Sequence, residues 1–377
     1  MRKALLPAFT AAAVFCTCFF CQRHTLMQQE FNGLFLLTGD YFREVFSGSL
    51  PLSNLLGSFL VQFYRISWAG PLATALLAAA AWLLARRIFR FTGKWSVVAA
   101  SAAACTLWML AAFSTTPAAP SAAFLIILAL WAAVIAIDRR TGVKESGAVQ
   151  NAAAAAMTAA AAAVIVFSPA IRDREVWDRI EHSAVHGKWA DITAVITPYR
   201  ASEDPNMLPF AALALAERGQ LVSSFEKYPF RGSGDLDFEG LTDRRSYLCG
   251  SLFNASAGCT NEAIHQLFQS ACNLPHGTSF GTIRQLIRYN MMAGNTSMAS
   301  KYCSILARSP FNASTARDVA AAILAMDPEA SPLDPGDSSE AAVITHSSAV
   351  NLKLLYDEGL FSPAAAEKAR CLMMMGD

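Results

Sequence analysis

Charged residues are scarce in this sequence. Asp, Glu, Lys and Arg make up only 16% of the 377 residues, whereas 54% are hydrophobic. Soluble globular chains contain about 25% charged residues, so this deficit argues against an ordinary cytosolic enzyme. The formal net charge is only +1. The chain therefore also lacks the excess of positive charge that is typical of nucleic-acid-binding proteins.

Several enzyme signatures are absent as well. The sequence contains no Walker motif or other glycine-rich phosphate loop, no GxSxG nucleophile elbow and no HExxH zinc motif. His182 and His186 have the spacing of a metal clamp on one helix face, but the sequence marks no third ligand. We therefore expect neither a metal nor a cofactor.

The small net charge hides a difference between the two halves of the chain. Residues 1–169 carry 12 Lys and Arg against 5 Asp and Glu, a net charge of +7. Residues 170–377 carry 18 against 24, a net charge of −6. The sequence predicts a membrane domain over 1–169 and a soluble, mildly acidic domain over 170–377.

The first half contains five stretches that are long and apolar enough to cross a bilayer, which takes roughly 20 residues. They are about 4–21, 70–85, 95–113, 121–137 and 148–168. The first stretch could instead be a cleaved signal peptide, but no small-residue cleavage site closes it, so a retained anchor is favoured. The fifth stretch is rich in alanine, which hardly favours lipid over water.

The positions of Lys and Arg predict the orientation of these spans. The basic segments are the N-terminal end, 86–94 and 138–144, and positive charge favours the cytoplasmic side. With a cytoplasmic N-terminus, five spans place residues 170–377 outside the inner membrane, in the periplasm of a bacterium. If the fifth stretch does not insert, that domain is cytoplasmic instead.

Residues 24–68 are too polar to span a membrane and too apolar for a free loop. Phe and Leu recur there at helical spacing, which predicts two helices lying at the membrane interface. Glu30, Asp40 and Arg43 add charge to this segment. An ion pair that anchors a helix is the simpler reading, whereas a catalytic acid or metal ligand is typical of multi-spanning transferases of lipid-linked sugars.

The second half is helical by pattern and contains a recurring spacing. Gly258 and Gly294 are each followed after five residues by alanine, Ala263 and Ala299, and later by proline. Glycine ends a first helix with a left-handed cap, the small alanine allows close packing, and proline ends the second helix. With Gly187 and Gly219, the glycine intervals of 32, 39 and 36 residues bracket the period of about 34 in tetratricopeptide (TPR) repeats.

The sequence thus predicts an all-α protein, with a transmembrane helix bundle followed by a TPR-like repeat domain. A loop is expected at about 327–345, and helices over 349–358 and 363–374 should cap the array. Nine cysteines are present; Cys249, Cys259, Cys272 and Cys303 fit core positions, although a disulfide from Cys259 is an alternative.

Four segments resemble a known family. They are LFLLTGDYFREVF, LSNLLGSFLVQFYRISWAGPL, HGKWADITAVI and NMLPFAALALAERGQL. They are similar to an uncharacterised domain-of-unknown-function family of Bacteroidota, whose members are multi-pass inner-membrane proteins with a C-terminal TPR-like region. The resemblance implies an architecture and a location and carries no activity, and this chain has fewer spans than the family.

Two hypotheses about function follow. In the first, the outward-facing repeat domain of an inner-membrane protein binds another envelope protein. Its polar contacts are expected at Arg244, Arg245, Arg284, Arg288 and Tyr289. In the alternative, the protein is a membrane enzyme that handles lipid or lipid-linked glycan through Glu30, Asp40 and Arg43. Membrane lipid is a partner in both, and nucleic acid in neither.

Overall fold

The computed structural model of the protein describes residues 5–114, 147–236, 243–274, 276–325 and 362–375. Over these residues the chain is helical and contains no strand, so the all-α expectation is confirmed. The chain divides into two compact units, Met1–Asp178 (unit 1) and Arg179–Asp377 (unit 2). The division falls within a helix, at residue 178 rather than at the expected 169.

Unit 1 contains short and long helices. The long ones are α1 (Leu5–Cys21), α5 (Ala69–Ile88), α6 (Ser96–Phe113) and α7 (Ala148–Phe167), and α8 (Pro169–Val185) begins in this unit. Between α1 and α5 lie α2 (Arg23–Asn32), α3 (Gly39–Ser47), α4 (Pro51–Val61) and a 3₁₀ turn at Gln62–Arg65. The segment 24–68 therefore forms three short helices rather than the expected two.

Among the described residues, three helical stretches are long and apolar enough to cross a membrane: Ala69–Ile88, Thr92–Phe113 and Ala148–Phe167. They correspond to the second, third and fifth predicted spans. Helices α1 and α2 pass the same test only as a pair, and they are bent by 77° at a break. The predicted span at 121–137 lies outside the described residues.

The packing of unit 1 is inverted relative to that of a protein core in water. In α5, small residues and one threonine face inward while leucines face outward. Helix α1 does the same, with Thr10, Thr17 and Cys18 buried while Leu5 and Phe20 are more than 70% exposed. The largest buried exceptions are Trp82 and Trp108. Small residues at helix contacts and large apolar residues outside are typical of helices packed in lipid.

Unit 2 differs from unit 1 in its surface. Far fewer of its described large apolar residues are exposed, and Phe210, Leu248, Phe280 and Leu286 are among those that are buried. Its helices are α9 (Trp189–Val195), α10 (Pro198–Glu203), α11 (Leu208–Glu217), α12 (Leu221–Ser224), α13 (Ser233–Leu236), α14 (Arg244–Ala257), α15 (Thr260–Cys272), α16 (Phe280–Met292), α17 (Thr296–Leu306), α18 (Ala313–Ala325) and α19 (Pro363–Met375). From α14 to α18, each helix packs against the next one along the chain.

Four glycines end helices in unit 2 in the same way. Gly187, Gly219, Gly258 and Gly294 have φ of +65°, +62°, +89° and +71°, a region that side chains with a Cβ avoid. After each glycine, the next N–H donates to the carbonyl five residues earlier, over 2.8 Å in all four cases. This is the Schellman cap, and it turns the chain into the following helix.

The last helix departs from the expected arrangement. We expected it to cap the end of the array with a helix at 349–358, which lies outside the described residues. Instead, α19 packs against α11, α12 and α14. Glu367 accepts a hydrogen bond of 3.0 Å from the N–H of Val222 in the first turn of α12, and Lys368 Nζ lies 3.7 Å from the centre of the Phe253 ring. The free N–H groups at the start of α12 attract the carboxylate of Glu367, and the face of the Phe253 ring attracts the ammonium group of Lys368.

The helix contacts predict sensitivity to overpacking at Ala263 and Ala299, both of which are 0% exposed. Replacing either alanine with leucine should destabilise the protein by roughly 1–3 kcal/mol, because the extra methyl groups force the paired helices apart. Thermal unfolding of the purified full-length protein in detergent measures the effect. Ala322→Leu, at an exposed position of α18, is the matched control. Midpoints equal to that of the control would contradict the close helix packing.

Candidate functional site

The acidic residues of the first loop do not form one cluster. Arg43 Nη1 donates to Asp40 Oδ1 over 3.1 Å, and both side chains are more than 80% exposed. Glu30 is 3% exposed on α2 and does not pair with Arg43. Among the residues that the structure describes, no group of three or more His, Cys, Asp and Glu could hold a metal ion.

Two of the expected partner-binding arginines contact a buried carboxylate instead. The side chain of Glu181, on α8, is 0% exposed. Arg245 Nε donates to its Oε1 over 2.6 Å, and Arg244 Nη2 donates to its Oε2. Breaking such a buried pair is strongly destabilising because it leaves a charge without compensation. These arginines therefore stabilise unit 2.

The remaining expected residues lie on α16 and differ from one another. Arg284 donates to Asn312 Oδ1 over 2.8 Å and lies over the Phe280 ring, whereas Arg288 is exposed. Tyr289 is 0% exposed, and its hydroxyl lies 3.4 Å from that of Ser251. Burial raises the pKa of Tyr289. Because this tyrosine is in the core, it is not a surface contact, contrary to expectation.

His182, on α8, and His186, directly after α8, interact with each other and with the backbone. Their ring centres are 4.2 Å apart, and Nδ1 of His186 lies 2.7 Å from the carbonyl oxygen of His182. One ring nitrogen of His186 is thus engaged by its own helix.

All nine cysteines are free in the structure, so Cys259 forms no disulfide in it. Cys249, Cys259 and Cys303 are buried as expected, but Cys272 is exposed at the end of α15. Cys371, on α19, is also buried. Burial raises the pKa of the Cys371 thiol to about 11, and the neighbouring Glu367 carboxylate adds to the increase.

A carboxylate that the sequence does not mark makes several contacts in unit 1. Glu175, on α8, accepts four hydrogen bonds of 2.7–2.9 Å. The donors are the backbone N–H and ring Nδ1 of His24, and the backbone N–H and hydroxyl of Thr25. These residues form the first turn of α2, whose N–H groups have no partner within the helix. Glu175 therefore caps α2 at its break from α1.

The neighbouring residue caps a second helix with the opposite charge. Arg174 Nη1 and Nη2 donate to the carbonyls of Ala112 and Phe113, over 3.3 and 3.4 Å. These carbonyls lie at the C-terminus of α6, where a cation is favoured, just as an anion is favoured at the N-terminus of α2. The first turns of α8 therefore join two helix ends. We refer to Arg174 and Glu175 as the α8 clamp.

A small cavity with a mostly apolar lining lies at the same break. Its volume is about 20 Å³, and Cys18, Gln22, Tyr64 and Thr74 contribute its polar atoms. A space of this size holds about one water molecule.

Comparison with known proteins identifies the family of this chain. The model of the family of unknown function DUF6057 matches residues 1–172 and 149–358 of the chain. The chain belongs to this family. No curated protein and no solved structure matches it. Membership of DUF6057 confirms the resemblance to a domain-of-unknown-function family and assigns no reaction to Glu30, Asp40 or Arg43.

The α8 clamp predicts a role for the charge of Glu175. Glu175→Gln should lower the stability by about 1–3 kcal/mol, because the amide NH₂ faces N–H donors and hydrogen bonds to a charged acceptor are lost. Asp173→Asn, at an exposed position of the same helix, is the control. Thermal unfolding of the full-length protein in detergent compares them. Equal midpoints for the two variants would show that the clamp contributes little.

Burial predicts the reactivity of the thiols in unit 2. Cys272 should react with a maleimide in the native protein at neutral pH, because it is exposed. Cys371 should react only after unfolding, because its raised pKa keeps the thiol protonated and inert below about pH 11. Peptide mass spectrometry locates the label, with Cys272→Ser as the control. Rapid native labelling of Cys371 would contradict the docking of α19.

Proposed function

We propose that the protein is an integral membrane protein of the bacterial inner membrane, with unit 2 serving as a binding module for another envelope protein. The inverted packing of unit 1 supports the membrane location, together with the three apolar helices. Large apolar side chains on the outside of a helix bundle are stable only where the surroundings are themselves apolar. Unit 2, with its large apolar core, has the packing of a water-soluble domain.

The ends of the helices in unit 1 support a periplasmic position for unit 2. The turn between α5 and α6 carries Arg86, Arg87, Arg90 and Lys94, and such basic turns favour the cytoplasmic side. Arg174, at the start of α8, contacts the opposite end of α6. Because α6 is 18 residues long, that end lies about 27 Å from the basic turn. Helix α8 then begins on the outer side, and the N-terminus is cytoplasmic.

The observation that carries the binding hypothesis is the repeated glycine-capped helix pair in unit 2. Four such caps occur, and helices α14–α18 stack in chain order. Stacked helix pairs of the TPR-like kind bury a continuous core and present an extended surface to a partner. We therefore propose that unit 2 consists of TPR-like repeats and that these repeats bind a protein.

The contacts in unit 2 reduce the number of residues that are candidates for binding a partner. Arg244, Arg245 and Arg284 already donate to acceptors within the unit, and Tyr289 is buried. Arg288 is the exposed member of the set, in the middle of α16. We place the centre of the proposed surface there.

The alternative of a membrane enzyme has less support. It needs Glu30, Asp40 and Arg43 to act on one substrate. Asp40 and Arg43 form an exposed pair three residues apart on α3, which is the arrangement of an ordinary surface ion pair, while Glu30 is buried on α2.

Photo-crosslinking in cells tests the proposed surface. A benzophenone amino acid replaces Arg288 in the full-length protein, and a second variant carries it at Lys301, an exposed position of α17. We expect position 288 to capture one envelope protein recurrently and position 301 to capture it much less. Equal capture, or none at position 288, would contradict the assignment, and a cytosolic partner would contradict the periplasmic location.

A further inference from the structure

Helix α4 presents its large apolar residues to the outside. Ser53, Gly57 and Val61 recur every fourth residue and are buried. Leu52, Leu55, Leu56 and Phe59 follow the opposite side at spacings of three and four residues. Of these, Leu52 is 63% exposed and Phe59 37% exposed, while Leu55 and Leu56 are half-buried. A helix at a water surface would bury the leucines and expose the serine.

The turn before α4 extends this apolar surface. Leu50 is 62% exposed and has φ of +53°, the one positive value at a residue other than glycine among the residues with described backbone. The left-handed region is sterically unfavourable for a leucine, because its Cβ crowds the following carbonyl oxygen. Asn54 holds the turn through a hydrogen bond of 2.7 Å from its Nδ2 to the carbonyl of Ser49. The strained turn directs a leucine away from the protein.

The adjacent helix α3 exposes its charged residues. Tyr41 and Val45 are buried, Asp40, Arg43 and Glu44 are exposed, and Phe46, at 51%, is its one exposed large apolar residue. Beyond Glu44 the next charged residue is Arg65, so residues 45–64 carry no charge. The charged outer face of α3 therefore suits water, whereas the uncharged outer face of α4 suits apolar surroundings.

We propose that α4 and the turn at Leu50 lie among the acyl chains of one lipid leaflet, whereas the outer face of α3 is in water. With 11 residues, α4 is about 16 Å long and too short to cross the roughly 30 Å of hydrocarbon. It lies in the leaflet or dips into it without spanning. This assignment rests on the proposed membrane location of unit 1 and is independent of any binding by unit 2.

Lipid fits this surface better than a protein partner does. The uncharged stretch ends at exposed charges on both sides, Glu44 and Arg65, as is expected where a segment leaves the hydrocarbon. Ile66 and Trp68, 50% and 53% exposed, continue the apolar surface directly into α5, one of the helices long and apolar enough to span. Acyl chains match such a surface because they need no hydrogen-bond partners.

Photolabelling of the full-length protein tests this contact. A diazirine amino acid replaces Leu52 in one variant and Glu44 in a matched control, and each is reconstituted into vesicles of phosphatidylethanolamine and phosphatidylglycerol. After illumination, mass spectrometry measures lipid adducts. We expect about tenfold more adducts at position 52 than at position 44, because position 52 lies among acyl chains under this proposal and position 44 lies in water.

A label at Phe59, on the same side of α4, repeats the measurement at a second position and should also give lipid adducts. Similar adduct levels at positions 44 and 52 would overturn the proposal. Crosslinks from positions 52 and 59 to a second copy of the chain, in place of lipid, would also overturn it. Correct folding of each variant is checked by its elution as a single species in detergent before reconstitution.

Discussion

The requirement on which the structure of unit 1 depends is that its large apolar side chains meet an apolar environment. Alanine, glycine, serine and threonine fill the contacts between its helices, so the backbones approach closely. Several buried hydroxyls pair within the bundle: Trp82 Nε1 donates to Ser101 over 2.9 Å, and the Thr10 and Thr158 hydroxyls lie 3.4 Å apart. Many leucines and phenylalanines, such as Leu76 and Phe20, are exposed, and under the proposed membrane location they face lipid. The same requirement extends to α4 under our proposal.

Helix α8 contributes charges that organise each unit separately. In unit 1, the α8 clamp supplies a cation to the end of α6 and an anion to the start of α2, so that backbone groups left free by helix geometry are satisfied. In unit 2, Glu181 binds both Arg244 and Arg245 at the start of α14. Arg244 and Arg245, which the sequence marks as candidates for binding, are thus used for internal contacts, and the proposed binding surface is therefore centred on Arg288.

Much of the helix content could be predicted from local patterns. The left-handed caps at Gly258 and Gly294 and the small alanines that follow them are local features. The start of α19 is also local, because Ser362 Oγ accepts from the N–H of Ala365 and Pro363 is the first helical residue. The candidate site was much less predictable. Tyr289 and Arg288 are neighbours on one helix, yet one is in the core and the other in solvent. The role of Glu175 depends on residues about 150 positions away in the chain, which no local pattern reveals.

The sequence by itself determined that the protein is all-α, that its two halves differ in hydrophobicity and charge, and that it resembles a family of unknown function. Those properties depend on composition and on spacings within a few turns of helix. Only the tertiary structure decided that α1 and α2 are bent apart, that α19 packs against α11, α12 and α14, and that Cys272 is exposed while Cys371 is buried. The physical reason is that burial and charge pairing are set by which distant segments meet, and many packings satisfy the same local periodicity.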